Sequence, residues 1–180
     1  MVYEVDLKGK TVNLRSVNLE DAEFTLNIRN DPALTRFIPK ISVSIQEQLQ
    51  WIKNQREKKG DYFFLIIDKS ENKLGTMSIY NICGNKAESG RFISQGNSLQ
   101  NMEALLLIYD FAFYQLDLEL LYFEVYKQNK AVVNMWKRLG SIILDERTIN
   151  GVDIFCFELS KVRYEECFRP KIADMLIKCI

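Results

Sequence analysis

The stretch 88–140 constrains the fold more than any other part of the chain, because strand, loop, apolar helix, strand, Asn and amphipathic helix follow one another there without a break. Residues 87–93 have the short extended pattern of a strand and lead into small and amide residues (Ser94, Gln95, Gly96, Asn97, Ser98, Gln100, Asn101) that open a helix predicted over 102–116. Within that helix Ala104, Leu105, Leu106, Leu107, Ile108, Phe111, Ala112 and Phe113 leave only Glu103, Asp110 and Gln115 as strongly polar interior positions. A helix this apolar is enclosed by other elements, so it is expected to lie against a sheet. Residues 120–126 read as a central strand ending at a polar corner, and Val132, Met135, Trp136 and Leu139 then repeat at the i, i+3, i+4, i+7 spacing of one helical face. Gly140 follows where a helix C-terminus favours positive φ.

Elements of the same kind flank this block. Residues 11–17 alternate as a strand, and Asn18 with Asp21 starts a helix that runs to about Arg29, where Asn30-Asp31-Pro32 ends it. Ser44 with Glu47 caps a second helix. Residues 61–67 and 74–82 pair as an antiparallel hairpin, Gly84-Asn85-Lys86 turns the chain into the strand carrying Glu88, and 142–147 and 153–159 flank Asn150-Gly151, a dipeptide suited to a tight hairpin. The tail 162–180 is helical in pattern, with Pro170 starting a second short helix. It carries Val162, Tyr164, Phe168, Ile172, Met175 and Leu176, so it is expected either to cover the sheet edge of its own domain or to join a homodimer.

At 180 residues and 47% hydrophobic content the chain suits one domain, 1–180, with 161–180 as a C-terminal helical extension. Lys and Arg equal Asp and Glu at 24 each, so no net field draws nucleic acid or an anionic membrane to the surface, and no nucleic-acid partner is expected. Residues 1–10 lack the apolar run of a signal peptide and no stretch reaches the ~18 apolar residues of a membrane span, so a cytoplasmic protein with no membrane partner is expected. The four cysteines, Cys83, Cys156, Cys167 and Cys179, form no C-x-x-C pair and read as reduced thiols. There is no histidine, which excludes His-based triads and His metal ligands together; no metal site is expected, and proton handling falls to Glu, Asp, Tyr, Cys, Lys or water.

Asn129, Val132, Trp136, Lys137, Leu139 and Gly140, behind a strand, loop, helix and strand, resemble the second half of the GNAT superfamily of acyl-CoA-dependent N-acyltransferases, and the resemblance covers most of the chain. Residues 26–32 with Phe37 are similar to the opening of members that acetylate ribosomal-protein N-termini or amino sugars. The resemblance implies an α/β (α+β) fold, with a mixed, mostly antiparallel sheet of six or seven strands and helices on both faces. It also implies an acetyl-CoA-dependent N-acetyltransferase acting on a primary amine, of an amino sugar, free or nucleotide-linked, or of a protein N-terminus. The alternative is a non-catalytic acyl-CoA-binding or interaction module on the same fold.

In this family the acyl-pantetheine lies where the fourth and fifth strands splay, here between 91–94 and 124–126. The resemblance therefore assigns acetyl-CoA binding to Phe92, Ile93, Ser94, Gln95, Gly96, Asn97, Ser98, Gln100, Asn101, Asn129 and Trp136. Backbone N–H groups at a helix start suit a pyrophosphate, yet this loop has a single Gly where the family usually reads (Arg/Gln)-x-x-Gly-x-(Gly/Ala), so it either uses side chains of Asn97, Ser98 and Asn101 or is a polar loop with no phosphate role. Glu88 is the first choice for general base, unless it pairs with Arg91 or a Lys; Glu124 is the substitute. Trp136 stands where the family often has its acid Tyr and indole donates no proton to a thiolate, which leaves Tyr126 or solvent. Asn129 serves the pantetheine arm, caps the following helix, or does both.

Overall fold

The computed structural model describes residues 1–178. In chain order the elements are β1 (Leu7–Lys8), β2 (Val12–Ser16), α1 (Ala22–Asn30), α2 (Ile45–Glu57), β3 (Tyr62–Asp68), β4 (Lys73–Cys83), β5 (Lys86–Ser94), α3 (Ser98–Asp110), β6 (Leu120–Tyr126), α4 (Lys130–Arg138), β7 (Ile142–Ile149), β8 (Val152–Ser160), α5 (Lys161–Arg163) and α6 (Arg169–Lys178). The eight strands form one sheet in the order β1-β2-β3-β4-β5-β6-β8-β7. All pairs are antiparallel except β5 with β6. This is the expected mixed, mostly antiparallel sheet, with eight strands rather than six or seven, because β1 is only two residues long and leaves no alternation to read.

Helices cover both faces. β3 is buried along almost its whole length, which is why it reads as a continuous apolar run rather than an alternating one. Its Phe63, Leu65 and Ile67 pack with Val17, Ala22 and Ile52 beneath α1 and α2. Its Phe64 and Ile66 join Met77, Ala87, Leu121, Phe123 and Phe157 beneath α3, α4 and α6. Asn150 and Gly151 both take positive φ (50° and 77°) in the turn between β7 and β8, as that dipeptide requires.

Two helices differ from expectation. α3 begins at Ser98 rather than 102, because the Asn97 side chain accepts from the Gln100 N–H while the Gln100 side chain accepts from the Asn97 N–H, a capping box formed by residues that look like loop. At its other end a π turn, Phe111–Gln115, widens the helix before β6. The tail does not restart at Pro170. It runs from α5 through a second π turn, Tyr164–Phe168, into α6, and Arg169 keeps helical dihedrals. The wider turn just ahead of Pro170 accommodates a residue that donates no hydrogen bond. α6 packs on α3 through Ile172 and Leu176, so the tail covers the core of its own chain.

Glu103 ties α3 to the sheet edge. Its carboxylate is 3% exposed and accepts from the N–H groups of Lys10 (2.6 Å), Thr11 (2.6 Å) and Val12 (3.1 Å) and from the Thr11 hydroxyl. Burial opposes its charge, but these donors outweigh burial and hold its pKa below the usual carboxylate value. Among the described residues no helix is long and apolar enough to cross a membrane. Cys83, Cys156 and Cys167 are free thiols, while Cys179 lies outside the described residues.

Candidate active site

β5 and β6 pair over three rows only, Lys86 with Leu120, Ala87 with Leu121 and Glu88 with Tyr122. Beyond Glu88, β5 stays bonded to β4 and β6 to β8, so a wedge opens between 89–94 and 123–126. The facing edges of that wedge offer backbone N–H and C=O groups with no strand partner, which an extended chain carrying amides can satisfy.

A bulge in β5 accompanies the opening. Between Gly90 and Ile93 it has Arg91 and Phe92 where β4 has only Met77, and Arg91 takes φ +53°. A non-Gly residue in that region costs about 1–3 kcal/mol unless its surroundings hold it. Asp61, 2% exposed, holds the guanidinium through bonds of 2.6 and 3.0 Å, and the same group sits 4.1 Å from the Tyr80 ring and 5.2 Å from the Trp51 ring. Arg91 is therefore paired with Asp61 and not with Glu88.

The wedge opens into a cleft of about 1280 Å³ reached by α1, α2 and the segment between them. Glu88, Phe92, Ile93, Ser94, Asn101, Glu124, Tyr126, Asn129 and Trp136 line it, whereas Gln95, Gly96, Asn97, Ser98 and Gln100 lie outside its lining. Glu88 sits at the last shared row of the wedge. One carboxylate oxygen accepts from the Tyr80 hydroxyl and the other from Asn81 Nδ2 at 2.9 Å, and among the described residues it has no ion-pair partner. Gly90 makes this possible, since a Cβ there would come 2.8 Å from the Tyr80 hydroxyl. Burial first, then the Glu88 carboxylate, push the Tyr80 pKa well up, so Tyr80 stays a neutral donor. Sequence reasoning missed Tyr80; the available signal was its place opposite Glu88 across the β4–β5 hairpin.

Glu124 is less enclosed. Its side chain is 45% exposed and stands 3.9 Å from Arg147. Asn129 occupies the position before α4, yet its side chain makes no capping bond, which leaves its amide for the cleft. Trp136 is buried, with its ring centroid 4.4 Å from Phe123 and stacked 6.0 Å from both Tyr109 and Phe168. It forms the apolar floor of the wedge. Tyr109 was also missed: its buried hydroxyl lies 3.1 Å from Ser89 Oγ, on the strand edge bordering the wedge.

At the start of α3 most amides are already engaged. Gln95 N–H donates to Leu74 O (2.8 Å), Gly96 N–H to Ser94 Oγ (2.9 Å), Asn97 N–H to Gln100 Oε1 (2.9 Å) and Gln100 N–H to Asn97 Oδ1 (3.0 Å). The amides of Ser98 and Leu99 are the first-turn donors left over. Asn101 donates to Gly96 O at 3.0 Å and leaves its buried Oδ1 without a partner. On the opposite wall Arg29 donates from Nη2 to Pro39 O, while its buried Nη1 has no partner.

Comparison with known proteins places this geometry. Residues 11–142 match the family model described as an acetyltransferase (GNAT) domain. The chain is 26% identical over 166 residues to the probable N-acetyltransferase YjcK of Bacillus subtilis, covering 81% of this chain and 91% of that protein. It is 23% identical over 139 residues to the acetyltransferase PseH of Campylobacter jejuni, covering 76% and 87%. Among solved structures, apo FdhC, described as a nucleotide-linked sugar GNAT, superposes with a TM-score of 0.78 at 27% identity over 96% of this chain and 97% of its own. A splayed strand pair, a cleft beside it and a family match over most of the length agree: the chain belongs to the GNAT acetyltransferase family and is an N-acetyltransferase.

Proposed function

We propose that the protein transfers the acetyl group of acetyl-CoA to a primary amine of an amino sugar, free or nucleotide-linked, with a protein N-terminus as the alternative acceptor. The observation that carries the chemistry is Glu88, an unpaired carboxylate oriented by Tyr80 and Asn81 where the wedge begins. An amine is protonated at neutral pH and attacks a thioester only after losing that proton. Glu88 takes it, directly or through a water. The neutral amine then attacks the carbonyl carbon, the nitrogen gives its surplus proton to water, the C–S bond breaks, and the leaving thiolate takes a proton from Tyr126, Tyr109 or solvent. Backbone amides at the wedge edges polarise the carbonyl.

The pantetheine arm runs along 92–94 with Asn129 on the other side, above Trp136. The pyrophosphate meets Ser98 and Leu99 N–H at the start of α3, where unpaired donors and the helix dipole favour an anion. Side chains thus stand in for the family's Gly-x-(Gly/Ala) pattern: Asn97 and Gln100 cap each other and leave the Ser98 and Leu99 amides over. The likeness to the nucleotide-linked sugar GNAT supports the sugar acceptor over a peptide. The protein acts in the cytoplasm, in keeping with free thiols at Cys83, Cys156 and Cys167 among the described residues.

Thiol release from acetyl-CoA across a panel of amines, with calorimetry of acetyl-CoA binding alongside, tests this reading. It predicts release in step with acetylation of a hexosamine or nucleotide-linked hexosamine. Binding of acetyl-CoA without release across the panel would contradict it.

A further inference from the structure

Arg29 has a donor that the fold does not use. It lies in the last turn of α1, where a cation complements the helix dipole, and Nη2 holds Pro39 O. Those two roles account for its charge and for one nitrogen. Nη1 is shielded from water, has no acceptor, and belongs to a residue lining the acceptor cleft. Among the described residues no carboxylate lies within salt-bridge distance of it: Asp21 and Asp61 are taken by Arg15 with Lys73 and by Arg91 with Lys58. The three cleft carboxylates lie elsewhere as well, Glu47 at the cap of α2, Glu88 with Tyr80 and Asn81, and Glu124 beside Arg147. Arg36 adds a second cation to the same lining. An enclosed guanidinium nitrogen without an acceptor is unfavourable until a ligand supplies one.

We propose that Arg29 is an anion subsite of the acceptor cleft, so that the amine acetylated here belongs to a molecule that also carries a phosphate or carboxylate. The proposal rests on the N-acetyltransferase reading of this cleft and narrows its substrate. A planar guanidinium matches either anion with a charge-assisted bond, and the same charge repels polycationic acceptors such as polyamines. The exposed Trp51, also in the lining, offers a ring platform in the same cleft. An acceptor with a ring, an amine and an anion therefore meets three features of the wall.

The test compares glucosamine 6-phosphate, muramic acid, glucosamine and spermidine as acceptors for the native protein, Arg29→Gln and Arg29→Lys, with calorimetric titration of each amine in parallel. A preference in kcat/KM for glucosamine 6-phosphate or muramic acid over glucosamine, falling roughly 10- to 100-fold in Arg29→Gln and partly restored in Arg29→Lys, supports the subsite. Which of the two anionic amines shows the larger drop identifies phosphate or carboxylate. Equal preference in the native protein and Arg29→Gln, with both folded by circular dichroism, overturns it, as does a native preference for spermidine. If no amine is acetylated the enzymatic reading fails separately, and calorimetry still decides the subsite: weaker binding of glucosamine 6-phosphate or muramic acid to Arg29→Gln supports it, and unchanged binding overturns it.

Discussion

Replacing Asp61 with Asn tests whether the bulge at Arg91 holds the wedge open. Asp61 is almost fully buried and gives both oxygens to Arg91, with further help from Gln55 Nε2. Breaking one side of a buried charge pair costs on the order of 3–5 kcal/mol. Arg91 keeps 26% of its side chain exposed and can recruit water, and the Asn carbonyl retains one acceptor, so about 2–3 kcal/mol is the expected loss. For a domain of this size that lowers Tm by roughly 5–10 °C. The pH dependence follows from linkage. Burial raises the Asp61 pKa, but the Arg91 hydrogen bonds and charge overcome it, so the folded value lies below the ordinary one. Its contribution is therefore fully present above the unfolded pKa of about 3.9 and is lost as pH falls through that value toward the folded one. Urea denaturation of native protein and Asp61→Asn at pH 7 and pH 3 reads both effects. The difference in midpoint should be large at pH 7 and shrink at pH 3, and acetyl-CoA should bind the variant more weakly because Arg91 no longer keeps its left-handed conformation. Equal midpoints at pH 7 would refute this account of the bulge.

Other residues give further outcomes. Tyr80→Phe removes one donor from Glu88, and Gly90→Ala drives a methyl into the Tyr80 hydroxyl; each should lower kcat about tenfold with little change in acetyl-CoA affinity, measured by steady-state kinetics and calorimetry. Glu103→Ala leaves three backbone N–H groups of the β1–β2 turn without their acceptor and should cost about 2–4 kcal/mol in urea unfolding at pH 7. Because the folded pKa of Glu103 is depressed, that difference should fade as pH drops below about 4.3. Phe168→Ala opens a cavity beside Trp136, Tyr109 and Tyr164 and should cost about 3–5 kcal/mol.

Local patterns carried most of the fold. The 88–140 block, the caps at Asn18 with Asp21 and Ser44 with Glu47, and Asn150-Gly151 each act within a few residues, so their chemistry shows in the chain itself. The start of α3 was misplaced because Asn97 and Gln100 are equally common in loops, and only their mutual capping makes them helical. What escaped is nonlocal. Arg91 and Asp61 are separated by 30 positions, and nothing in either neighbourhood announces the pair that took Arg91 away from Glu88. Tyr80 and Tyr109 carry no local signal of a role, and only the folded arrangement sets one against Glu88 and the other against Ser89. In the sequence Arg29 marks only the end of a helix, and the missing acceptor at Nη1 exists only in the folded chain.

The central claim is that Glu88 takes the proton from the acceptor amine, and the kinetics of Glu88→Gln with an identified acceptor test it most directly. Glutamine keeps the shape and, through Oε1, one of the two accepted hydrogen bonds from Tyr80 and Asn81, and it accepts no proton. The predicted result is a kcat lower by roughly 10²–10⁴-fold at neutral pH, with acetyl-CoA affinity nearly unchanged. The deficit should shrink as pH rises and the amine arrives already neutral. Full activity of Glu88→Gln at neutral pH would contradict the claim and move the base to Glu124 or to water alone.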